Sequence, residues 1–144
     1  MKSLKSFLAL LGLIFILSAC YKPGCTDPLA TNYDPKVKTE DLSCTYTGNV
    51  IFWMKASTRD SLILLEHTML RFELEGELVD SMATSGFTSV SATCNVGGAK
   101  TIVRNFTGNT ERNYKFRVKG LNFETIYEDF IILKAEDCTA IELK

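Results

Sequence analysis

Five cysteines are the side chains best suited to covalent chemistry in this chain. Cys20 stands apart. It closes Leu17-Ser18-Ala19-Cys20, where two small residues precede a thiol at the end of an apolar run. A thiol so placed is a nucleophile at the boundary of an apolar leader, where small neighbours suit cleavage. Cys25, Cys44, Cys94 and Cys138 remain, an even number, which in an exported chain points to disulfides. Four cysteines permit three pairings, and the sequence does not choose among them. Local composition favours Cys25–Cys44 and Cys94–Cys138, one bridge in each candidate unit. A zinc site is the rival use of these thiols. It is disfavoured, because no close CxxC pair occurs and His67 is the only histidine.

The other reactive groups are sparse. A histidine-based triad would need a nucleophile beside His67, yet no GxSxG elbow is present. No phosphate loop or dinucleotide fingerprint appears either. Glu73, Glu75 and Glu77 read as a solvated strand face and turn rather than as a glycosidase pair. Asp27, Asn32, Asp34, Glu40 and Asp41 offer oxygens to a calcium ion. They lack the DxDxDG spacing, and Leu42 occupies the expected glycine position, so Asx-turns and caps are the simpler use. Trp53 and the tyrosines offer ring faces for stacking on sugars, although Trp53 lies in an apolar run and suits a core equally well. No cofactor is expected.

Four segments must position these residues. Residues 1–19 carry Lys2 and Lys5, then an uncharged run from Phe7 to Leu17. That run is too short for a membrane-spanning helix, which needs about 20 apolar residues, but fits a signal h-region. With Cys20, it resembles the lipobox signal of bacterial lipoproteins. The resemblance implies cleavage before Cys20, acylation of its sulfur and a membrane partner held through that lipid. Residues 20–24 would be the tether. Tyr21 stands where an aspartate would imply inner-membrane retention, and no acidic export tag follows. The expected location is therefore the outer membrane facing the periplasm, with surface display the alternative.

About 125 residues would remain, enough for one ordinary domain and a small appendage. The whole chain has 16 basic and 17 acidic residues. No basic stripe emerges, which argues against a nucleic-acid partner.

Residues 25–46 hold too few apolar side chains to fold unaided. A Cys25–Cys44 bridge would stabilise them by about 3 kcal/mol. Gly24, Cys25, Asp27, Ala30, Asn32, Tyr33, Asp34, Pro35, Asp41, Ser43, Cys44 and Tyr46 match a short motif. The segment thereby resembles a cysteine-closed module of exported Bacteroidota proteins, whose usual form carries glycine where Leu42 stands and alanine where Val37 stands.

Residues 48–144 alternate. Leu70, Phe72 and Leu74 interleave with charged residues, then Glu75-Gly76-Glu77 predicts a hairpin turn. Tyr114, Phe116 and Val118 repeat the pattern. Val50–Lys55, Thr101–Phe106, Phe123–Leu133 and Ala140–Leu143 read as further strands, with Phe123–Leu133 the candidate central strand. Residues 60–69 fit either a strand or a short helix. The expected fold is mainly β: a small antiparallel β-sandwich preceded by a disulfide-closed mini-module. Ile51-Phe52-Trp53 and Cys138-Thr139-Ala140-Ile141-Glu142-Leu143 resemble small sandwich modules of Bacteroidota lipoproteins.

The expected function is a non-enzymatic structural or binding role in the cell envelope, with an envelope protein or a glycan as partner. A carbohydrate-binding accessory protein is the second reading. An envelope hydrolase is the third, and it would depend on His67.

Overall fold

The computed structural model describes residues 22–87, 93–94 and 97–144. The signal segment and Cys20 lie outside the described residues. Among the described residues seven strands form two facing sheets, joined by connections that include one α-helix and a 3-10 turn at Thr84–Gly86. In chain order these are β1 (Thr45–Met54), α1 (Ala56–Leu64), β2 (Met69–Leu74), β3 (Glu77–Ala83), β4 (Lys100–Thr107), β5 (Glu111–Lys119), β6 (Thr125–Lys134) and β7 (Cys138–Leu143). A three-stranded sheet has the order β4-β1-β7 and a four-stranded sheet the order β3-β2-β5-β6.

Alternation decides which side chains meet between the sheets, because successive residues of a strand point to opposite faces. Phe52 sits at the centre. Its ring lies 4.9 Å from that of Phe72 and 5.2 Å from that of Phe116, centroid to centroid. Val50, Met54, Leu70, Leu74, Val118, Ile131 and Leu133 complete this layer, each nearly inaccessible to solvent. The predicted hairpin turn forms as read. Glu75 and Gly76 both have positive φ, 51° and 81°, as a two-residue turn needs to match strand twist.

Four readings change and one ambiguity closes. The β1–β7 pair is parallel, so the sandwich is not wholly antiparallel. β1 begins at Thr45 rather than Val50, since Thr45 and Thr47 pair with Thr107 and Asn105 of β4. β6 lies at a sheet edge rather than the centre. Its continuous apolar run is explained by Phe130 and Ile132, which face outward and are more than half exposed or close to it, at 62% and 50%. Phe123 does not belong to the strand: it sits in the preceding turn with φ 66°. Finally, residues 56–64 are helical, which settles the ambiguity over the start of the 60–69 segment.

Both disulfides join the pairs that local composition favoured, Cys25–Cys44 and Cys94–Cys138. The first closes the mini-module. Cys25, Ala30 and Cys44 belong to the same buried cluster as the sandwich core. Tyr46 links the two: its ring lies 5.8 Å from Phe106, and its hydroxyl donates to Asp27 Oδ2 at 2.8 Å. The module thus caps one end of the sandwich, and α1 lies at the other. The ten residues of β1 separate them by about 30 Å.

Candidate functional site

The end opposite the module presents the most apolar surface. Leu62-Ile63-Leu64-Leu65 is too continuous for a helix to bury on one face. Only Leu62 of α1 is buried. Leu64 is 84% exposed and Leu65 66%. The helix stops in a Schellman arrangement. His67 N donates to Leu62 O at 2.9 Å and Glu66 N to Ile63 O at 3.0 Å. Glu66 takes the left-handed position, φ 66°, where glycine is usual.

The β5–β6 turn meets this helix end. Gly120 N donates to Glu124 O, and Phe123 N to Gly120 O. Leu121 and Phe123 project from it, 46% and 63% exposed. Arg71 of β2 clamps the turn. Its guanidinium donates to the carbonyls of Gly120 and Leu121 and lies 4.4 Å from the Phe123 ring centroid. His67 Nδ1 lies 2.8 Å from Glu124 Oε1 and so ties turn to helix. A Cβ on residue 120 would fall 1.7 Å from that carboxylate oxygen, so only glycine lets Glu124 fold over the turn. Thr84, wholly buried, donates its hydroxyl to the His67 carbonyl. Five large apolar side chains, Ile63, Leu64, Leu65, Leu121 and Phe123, thereby stand exposed at one end, tied together by these bonds. A hollow of about 330 Å³ opens beside them, lined by Ser61, Leu65, Tyr127 and Lys144 among others.

The residues singled out from the sequence fall elsewhere or serve other ends. Cys20 lies outside the described residues. His67 is in the loop after α1, not on a strand. Among the described residues no hydroxyl or thiol hydrogen-bonds its imidazole. Glu73 pairs with Lys119 at 2.8 Å, Glu75 accepts from the Lys115 amide, and Glu77 pairs with Arg104. Trp53 is on the outer face of the three-stranded sheet, only partly exposed and outside the core cluster. It stands in register with Glu142, which pairs with Lys55 at 3.1 Å.

The calcium candidates are occupied by backbone. Asp27 Oδ1 accepts from Leu29 N, Asp34 Oδ1 from Lys36 N and Asp41 Oδ1 from Ser43 N. These are Asx-turns. Asn32 spans Ser43 O and Thr45 N. Asn32, Asp34 and Asp41 share the wall of one hollow, whereas Asp27 reaches away to Tyr46. Glu40 accepts from Thr26 N, Thr26 Oγ1, Asp41 N and Leu42 N. The Thr26 amide bond, above all, holds its carboxyl below the usual range. Its carboxylate also touches the Cys44 sulfur at 3.5 Å. This is contact without donation, because a disulfide sulfur has no proton.

A second cleft, about 380 Å³, lies between the edge strands β3 and β4. Two ion pairs cross it, Arg104–Glu77 at 2.7 Å and Lys100–Asp80 at 2.6 Å. It is polar and already bridged, unlike the distal end.

No protein-family model matches the chain, and no curated protein or solved structure matches it either. No helix among the described residues is long and apolar enough to cross a membrane.

The exposed apolar end was missed in the sequence. The signal was present in the unbroken run Leu62–Leu65 and in Leu121 and Phe123 flanking a turn.

Proposed function

We propose that this chain is a lipid-anchored cell-envelope module that binds another envelope protein through the end of its sandwich farthest from the anchor, without catalytic turnover. The observation carrying this reading is the cluster of Ile63, Leu64, Leu65, Leu121 and Phe123 at one end. Grouped exposed apolar side chains of this size mark interaction surfaces. The clamps supplied by Arg71 and the His67–Glu124 pair support a surface ordered before binding, which lowers the entropy lost on association. The lipobox at Cys20 supports the anchor and an outer-membrane location facing the periplasm, with cell-surface display the alternative.

A photo-crosslinking amino acid at position 64, in the full chain in its native membrane, tests the reading. One discrete protein adduct is expected from position 64 and none from position 107 at the module end. No adduct, or equal labelling from both, overturns it. A glycan-binding reading is favoured by one observation, the outward Trp53. Binding of an oligosaccharide that Trp53→Ala abolishes would replace the protein-binding reading with that one.

A further inference from the structure

We infer that the mini-module rests on the bilayer surface and inserts Leu42 into it. This inference rests on the proposed acylation of Cys20. Leu42 combines two unfavourable properties. It is 83% exposed, and it holds the left-handed conformation, φ 63°. That conformation crowds any Cβ, and a branched apolar side chain gains nothing from water. The surrounding bonds impose the geometry: Leu42 N donates to Glu40 Oε1 at 2.8 Å, and Ser43 N to Asp41 Oδ1 at 2.9 Å. The module thus pays strain to hold one apolar side chain outward.

Its position names the occupant. Gly24 N donates to Thr39 O at 3.0 Å, and Asp41 N donates to Gly24 O at 3.3 Å. Leu42 is therefore next to the residue bonded to Gly24, and Gly24 is four residues from Cys20. Four extended residues span at most about 14 Å. The headgroup layer of one leaflet takes up about 6 Å of that reach. An acylated Cys20 consequently confines the segment beside Gly24 to the membrane surface. Lys36 and Lys38 are exposed on this segment, and Lys22 on the tether. None of the three enters an ion pair among the described residues. The neighbouring acids Glu40 and Asp41 instead turn their carboxylates onto backbone amides. Lys22, Lys36 and Lys38, on flexible stems and free of ion pairs among the described residues, can reach headgroup phosphates although Glu40 and Asp41 keep their charge, and one leucine enters the acyl boundary. A bilayer fits this face better than a protein partner, because the reach of the tether selects it.

The experiment uses the acylated full chain in phosphatidylcholine nanodiscs containing a doxyl-labelled lipid, with amide signals read by NMR. Signals of residues 36–42 are expected to broaden at least twofold more than those of residues 120–124. Leu42→Asp should at least halve the broadening at residues 41–43 while the tether still holds the segment near the surface and the signals of β1 and β5 keep their positions; unchanged broadening at residues 41–43 overturns the insertion. Equal broadening at both ends in an acylated protein overturns the face and leaves the anchor standing. An intact mass without acyl chains overturns the anchor and the face together.

Discussion

The module and the sandwich hold their chains by opposite means. The sandwich is built on packed rings and aliphatic side chains, with Phe52 between Phe72 and Phe116. The module has almost no such layer. Its segment 24–45 is held by a disulfide, by Asx-turns at Asp27, Asp34 and Asp41, and by the many bonds to Glu40. Twenty-odd residues bury too little apolar surface to offset their conformational entropy, so covalent and polar links take over. The comparison teaches where each part is vulnerable: the sandwich to loss of volume, the module to reduction and to acid.

The largest effect should come from Phe52→Ala. Truncating a buried phenylalanine costs about 4 kcal/mol, and denaturant unfolding followed by near-ultraviolet signal should show it. Breaking the module bridge with Cys25→Ser and Cys44→Ser should cost about 3 kcal/mol, given the length of the closed loop. The loss should be local. Amide exchange at Gly24 and Asp41 should accelerate, while β2 and β5 keep their protection. Simultaneous loss of both would erase the distinction between the two regions and make Tyr46 a rigid coupling.

Leu42→Gly should work in the opposite direction. Relieving a left-handed leucine should raise stability by about 1 kcal/mol, read as a higher melting temperature of the protein in detergent. Acid gives the smallest effect. The carboxyls of Glu40 and Asp41 both titrate below their ordinary values, held down chiefly by bonds from Thr26 and Ser43 respectively. A group with a depressed folded-state value stabilises above its unfolded value and loses that contribution as the pH falls through the folded one. The protection factors of the module amides should therefore fall as the pH drops below the ordinary glutamate value of 4.5, before those of the sheets do.

Much of the sandwich was legible because period-two alternation is a local property. Leu70-Phe72-Leu74 and Tyr114-Phe116-Val118 announce their inward faces without reference to any partner. The Glu75-Gly76 turn is equally local. Phe123–Leu133 misled because a continuous apolar run fits a central strand and an edge strand with outward Phe130 equally well. The α1 segment was ambiguous because nine residues of mixed pattern barely separate the two periods. The exposed distal end was illegible for a related reason. Leu64, Leu65 and Phe123 look like core residues until the fold leaves them exposed among the described residues.

By itself the sequence determined the β character, the strand faces, the turn at Gly76, the even set of four cysteines that follow Cys20 and the polar make-up of the module. These depend on residue type and on neighbours a few positions away. Only the tertiary structure decided the cysteine pairing, the parallel β1–β7 contact, the edge place of β6 and the meeting of His67 with Glu124. Each of these joins residues distant in sequence, and alternation carries no information about which strands close on one another. The same holds for Leu42. Its identity is in the sequence, but its left-handed, outward pose exists only because Glu40 and Asp41 fold back onto the backbone around it.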